Sequence, residues 1–238
     1  MTGVDLDDLD QDALDRVVIE RAPELVAALG RDDAAIRLGL LAKVAPRLAP
    51  TQVGLYVFGK VPQYVAPEWG VACVSFDGRT LADPIASRVD AEGPLAVLLS
   101  KALTFVDEAQ RGSSARYSPA VVREVVVNAL VHRDLRRPSR VSVRVFADRL
   151  EVHSPGGPPE GYADLDDLAR EGGVSAPRNP LLASVARRLG LGEQLGRGLV
   201  RIVTEGSAGL DERVEIRVSP KDVLVCLPPA IAKGRPLS

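Results

Sequence analysis

The sequence predicts an α+β fold: a two-layer α/β sandwich with helices on one face of a largely antiparallel sheet, preceded by a smaller mixed α/β region. Three observations predict it. Residues 140–146 (Arg-Val-Ser-Val-Arg-Val-Phe) alternate strictly, with Val141, Val143 and Val145 on one face, and Leu150 and Val152 continue the alternation after a turn at Ala147-Asp148-Arg149. A second hairpin sets Val214, Ile216 and Val218 against Val223, Val225 and Leu227 across a turn at Ser219-Pro220-Lys221-Asp222. Two helix openers, Ser118-Pro119 and Asn179-Pro180, put a polar cap residue before a proline whose missing N–H costs nothing in the first turn. The second half therefore reads helix, hairpin, loop, helix, helix, hairpin.

The remaining elements follow in chain order. Residues 5–48 read as two or three short helices, punctuated by Pro23 and Gly30. Asp5, Asp7, Asp8, Asp10, Asp12 and Asp15 precede the first basic residue, Arg16, and suit the positive end of a helix dipole. Residues 52–58 look β-like and end at Gly59-Lys60, and residues 70–76 form a second strand closed by Asp77-Gly78. From residue 94 to 109, Leu95, Leu98, Leu99, Ala102, Leu103 and Val106 mark one face of a helix. The polar run Arg111-Gly112-Ser113-Ser114-Ala115-Arg116 reads as a hinge, dividing the chain into residues 1–112 and 113–238. The helix opened by Ser118 runs to about His132. Residues 154–178 hold five glycines and four prolines, the composition of a lid or binding loop. The helix opened by Asn179 closes at Gly190, and a glycine-rich turn over 190–198 leads into a last helix ending near Gly206.

Composition narrows the function classes. Hydrophobic residues make up 46% and charged residues 26%, which excludes a disordered chain. The net charge of −2 argues against a basic nucleic-acid binder, and 4% aromatics leaves few base-stacking platforms. Cys73 and Cys226 lie in separate apolar runs and read as buried reduced thiols, not a disulfide or a zinc site. Neither a signal peptide nor an apolar run long enough to span a bilayer is found, so a cytoplasmic location is expected.

Chemistry concentrates in two places. Glu124, Asn128 and His132 recur at every fourth residue, forming a polar stripe on an otherwise apolar helix. A buried polar stripe needs partners. In a cleft, Glu124 can act as general base toward water and Asn128 can offer an amide oxygen to Mg²⁺; otherwise the stripe is a structural network between helix and sheet. The turn over 190–198 supplies glycines ahead of a helix N-terminus, where backbone N–H groups can meet phosphate, although an ordinary helix cap and turn would read alike. It is not a dinucleotide fingerprint, and no Walker A sequence occurs. Arg133, Arg136, Arg137, Arg140, Arg144 and Arg149 form either a solvated sheet face or a surface for phosphate or nucleic acid. Tyr64 and Trp69 read as packing residues.

These motifs stand in series: Glu124-Val-Val-Val-Asn128-Ala-Leu-Val-His132-Arg-Asp134, then Phe146-Ala-Asp148-Arg-Leu-Glu151-Val-His-Ser-Pro155-Gly156, then Arg178-Asn179-Pro180, then Gly192-Glu-Gln-Leu-Gly196-Arg-Gly198. The series resembles the divergent GHKL (Bergerat-fold) ATP-binding module of bacterial Schlafen AlbA-type putative transcriptional regulators, here without the AlbA-like domain. The match spans about residues 115–228, and the run from Pro50 to Gln63 is similar to the family's connecting region. The resemblance implies ATP as ligand and Mg²⁺ as cofactor. It implies Glu124 as the water-activating residue and Asn128 as the magnesium ligand, with His132 on the same stripe. Ser154, Gly156 and Gly157 take the place of the adenine-side glycine box, Gly192, Gly196 and Gly198 that of the phosphate-side box, and residues 158–178 that of the ATP lid. One departure stands out: Ser154 occupies the position of the Asp that accepts from the adenine amine. The expected function is an ATP-binding regulatory protein, with weak Mg²⁺-dependent hydrolysis and a homodimer as further expectations. The alternative is a non-catalytic scaffold, or a regulator that meets DNA or a partner protein through the arginine-rich hairpin with a degenerate pocket.

Overall fold

The computed structural model describes residues 3–111, 115–158, 177–191, 198–206 and 213–229. A six-stranded mixed sheet carries helices on one face, the α+β sandwich the sequence predicts. Its order is β4 (Ile85–Ala91), β3 (Val71–Phe76), β5 (Val141–Val145), β6 (Leu150–Pro155), β8 (Asp222–Leu227), β7 (Glu215–Val218). Among the described residues only β3 and β5 pair in parallel; every other neighbouring pair is antiparallel. Strands from both sides of residue 112 thus share one sheet. Alternation sends Val71, Cys73, Val141, Val143, Val145, Leu150, Val152, Val225 and Leu227 into the core.

α5 (Leu95–Gln110) and α6 (Pro119–His132) cover the core face, with α7 (Pro180–Arg188) and α8 (Gly198–Gly206) packed on α6. α6 is the central helix: it also touches β5 and β6, and Val121, Val122, Val125, Val126, Val127, Leu130 and Val131 are all buried. Each such side chain contributes about 1.5–3 kcal/mol by leaving water. A helix apolar on nearly every side has nowhere to go but the middle of the fold. Ser118 holds the N-cap position with Pro119 behind it, yet its side chain makes no capping bond.

The N-terminal region departs from expectation twice. Residues 41–50 form a hairpin, β1 (Leu41–Val44) with β2 (Arg47–Pro50), not helix. Pro46 and Pro50 cannot sit inside a helix, and Pro46 takes the turn. Residues 52–58 form α4 (Gln52–Phe58), not a strand. A short apolar run fits a buried strand or a buried helix alike, and here Thr51 decides: its Oγ1 accepts from Gly54 N–H at 3.0 Å as an N-cap. The acidic run does cap helix starts. Asp10 accepts from Ala13 N–H at 3.0 Å, opening α1 (Gln11–Asp15), and α2 (Pro23–Leu29) and α3 (Arg31–Arg37) follow, split at Gly30 as read. Strand β4, absent from the sequence reading, follows the Asp77-Gly78 turn.

Cys73 and Cys226 are free and buried. Trp69 is buried, edge-on to Tyr56 with ring centroids 5.7 Å apart, whereas Tyr64 is 87% exposed and is not the packing residue expected. Among the described residues no helix is long and apolar enough to cross a membrane.

Candidate functional site

The first residue of the stripe on α6, Glu124, faces the start of α8. Glu124 is buried, and a Cβ built on Gly198 would overlap its Oε1. Only a glycine at the head of α8 lets this carboxylate lie there. Asn128 and His132 follow one and two turns along, both half-buried. Burial pushes the His132 imidazole down to about 4, so at neutral pH it is an uncharged ring, not a cation for phosphate. Among the described residues no cluster of three His, Cys, Asp or Glu side chains could hold a metal by itself.

Ser154, at the end of β6, is buried against α6 and donates its hydroxyl to the Ala129 carbonyl at 2.9 Å. Its oxygen keeps accepting lone pairs, but no carboxylate stands there. Gly156 follows at φ +102°, a conformation other residues rarely adopt, and a Cβ there would lie 2.7 Å from Asp134 Cβ. At Gly157 a Cβ would overlap the Ser219 carbonyl. Gly192, Gly196 and residues 159–176 of the expected lid lie outside the described residues.

The sequence reads Asn179 as the polar cap of α7 and gives the side chains of Arg178 and Asp134 no role of their own; Asn179 holds the cap position, but its side chain makes no capping bond. The structure ties the Arg178-Asn179-Pro180 and His132-Arg-Asp134 motifs together. Asp134 N–H donates to the Pro155 carbonyl at 2.7 Å, joining the end of α6 to the end of β6. Asn179 Nδ2 donates to the carbonyls of Val131 (3.0 Å) and Arg133 (2.7 Å), satisfying acceptors that the end of α6 leaves open. Arg178 Nε donates to the Gly157 carbonyl at 2.7 Å, and its Nη1 reaches Asp134 Oδ2 at 3.2 Å. Arg178, the last residue of the expected lid, is thereby tied to Gly157, the residue just before the lid. Burial alone would raise the Asp134 carboxyl, but bonds from Arg136 and the charge of Arg178 outweigh it and hold the group below the usual aspartate range.

The arginines do not form one surface. Arg133 is fully buried, donating to the carbonyls of Glu68 and Ser139 at 2.9 Å each, and desolvation lowers its pKa. Beside it, Trp69 Nε1 donates to the Leu135 carbonyl at 2.9 Å. Arg140 lies 3.5 Å from Asp90, Arg144 lies 3.8 Å from Glu151, and Arg149 binds Glu151 at 2.7 Å while its guanidinium sits 4.0 Å over the Phe146 ring. Those on the open sheet face are thus paired with carboxylates.

Comparison with known proteins bears on this geometry. Residues 139–227 match the family model of the putative ATP-dependent DNA helicase RecG C-terminal. This stretch of the chain is similar to an ATPase-like module. It takes in β5 to β8, with Ser154 and the glycines, but starts after α6. The structure of the DIP2311 protein from Corynebacterium diphtheriae shares the fold at a TM-score of 0.68 and 23% identity, covering 96% of this chain and 46% of that one. The chain thus spans about half the length of that protein. A search of curated proteins returns no match.

Proposed function

We propose that this chain is a regulatory ATP-binding protein of the GHKL type, related to the Schlafen AlbA-type transcriptional regulators, which turns ATP over slowly with Mg²⁺. The observation that carries the reading is the seating of the buried Glu124 carboxylate against Gly198 at the head of α8. It sets an acidic group beside a helix N-terminus, where phosphate is favoured. The ATPase-like match over residues 139–227 supports it.

The donor set suits Mg²⁺, which takes few protein ligands and completes its shell with water and phosphate oxygens. Asn128 would hold it through the amide oxygen, and when bound the ion would neutralise phosphate charge. Glu124 would accept a proton from the attacking water as the new phosphorus–oxygen bond forms and the bond to the departing ADP oxygen breaks. Gly192, Gly196 and Gly198 would offer backbone N–H groups to the phosphates. Ser154, Gly156 and Gly157 would line the adenine end, with the neutral His132 beside them.

Isothermal titration with ATP–Mg²⁺ tests the reading. Heat of binding at millimolar nucleotide or below is expected, and its absence together with no thermal shift would sink it. Asn128→Ala should abolish the magnesium-dependent part of binding. Glu124→Ala should retain binding and lose turnover.

The second reading, a scaffold or DNA- or protein-binding regulator with a degenerate pocket, is favoured by one observation: the adenine-side position holds Ser154, with its proton committed to Ala129. A gel shift across salt discriminates, since contacts to nucleic-acid phosphate weaken steeply as salt rises.

A further inference from the structure

We propose that β4 is the interface of a two-fold homodimer in which the edge strands of two copies pair antiparallel about Val89. β4 lies at one edge of the sheet and is exposed from Ile85 to Asp90, with Ile85 56% and Val89 41% accessible. An edge of this kind is normally blunted against pairing by charge, proline or shortness. β4 spans seven residues without proline, and its charges are of both signs.

Those charges select the partner and the register. Arg88 and Asp90 are opposite Val74 and Ala72 of β3, so both project from the open face of the sheet, while Val89, opposite Cys73, projects from the helix-bearing face. A two-fold axis normal to the sheet keeps like faces together and pairs residues symmetrically. Centred on Arg88, it would set two guanidiniums against each other, which disfavours pairing. Centred on Val89, it sets Arg88 of each copy opposite Asp90 of the other. Each Asp90 carboxylate, which within its own copy already meets Arg88 at 3.1 Å and Arg140 at 3.5 Å, then gains the guanidinium of the partner copy as well. On the other face the two Val89 side chains cover each other at the axis. The strand is thus complementary to itself in sign as well as in hydrogen bonding, which a foreign strand would have to match by chance. The two sheets would become one, with the helix layers on the same side.

Sedimentation of the full chain over a concentration series, without nucleotide, tests this apart from any ATP binding. Twice the chain mass is expected at high concentration. Arg88→Asp places carboxylates opposite one another and should weaken the dimer about tenfold or more; the exchange of both residues, R88D with D90R, should restore it. Val89→Lys, on the other face, should also dissociate the dimer by placing two ammonium groups at the axis. Circular dichroism identifies a variant that fails to fold, and either of the other two then decides. A monomer at every concentration overturns the proposal. So does a dimer indifferent to these variants, or an exchange that fails to restore association.

Discussion

The Glu124 carboxylate occupies the space a side chain at residue 198 would need. Oε1 of Glu124 lies where a Cβ on Gly198 would be built, so the buried acid of α6 and the first residue of α8 are complementary in shape. Gly198→Ala should push the carboxylate out of place. The overlap is with the far end of a flexible side chain, and alanine favours a helix over glycine by about 1 kcal/mol, so the urea midpoint should change little while the carboxylate moves. On the proposed function the variant should lose ATP turnover. A normal rate would show that the contact relaxes without consequence.

Asp134→Asn removes the anion that Arg178 and Arg136 share. Because the folded carboxyl titrates below its ordinary value, its stabilisation is complete above pH ~4 and is lost as pH falls through the lowered folded value. Wild type should therefore exceed the variant in stability at pH 7, and the gap should close under acid. Urea unfolding of both proteins at pH 7, 4 and 3 checks this. A gap that persists at the lowest pH would mean that shape, not charge, holds Asp134 in place.

His132 titrates the other way in charge but with the same sign in stability. Its folded pKa is about 4 against 6.5 in the unfolded chain, so the unfolded chain binds the proton first as pH falls. Stability should decline from pH 6.5 to pH 4 and level off below. The loss is on the order of 2 kcal/mol for a partly exposed ring. His132→Gln should flatten that part of the profile relative to wild type. Parallel pH profiles for the two proteins would contradict the burial of the ring.

Asn179→Ala leaves the carbonyls of Val131 and Arg133 without their donor. Each unsatisfied buried acceptor costs about 1–3 kcal/mol. Hydrogen exchange should quicken at the end of α6 and the start of α7 before it changes in β5 or β6. A uniform change across the chain would instead mean that the bond serves global stability alone.

Legibility in the sequence followed how local the governing physics was. The hairpins at 141–155 and 215–227 were readable because one buried face enforces strict alternation. α5 and α6 were readable from spacing and from proline at the first turn. The hairpin at 41–50 and the helix at 52–58 were not, because short apolar runs of either kind look alike until their caps and neighbours are known. β4 escaped notice because an exposed edge strand bears no hydrophobic alternation to reveal it. Asn179 was legible as a helix opener, yet its side chain makes no cap and serves α6 instead. The order of the motifs and the polar stripe Glu124, Asn128, His132 were legible; that Glu124 seats on Gly198 was not.

By itself the sequence determined the helix and strand periods of the C-terminal half, the polar stripe and the positions of its glycines, since those depend on neighbours a few residues apart. Tertiary structure alone decided that β3 and β4 join the same sheet as β5, that Arg133 is buried while Arg136 is exposed, and that Asp134, Gly157 and Arg178 meet. Such contacts join residues far apart along the chain. Their identity depends on which surfaces the core brings together, and no local pattern of residues encodes that.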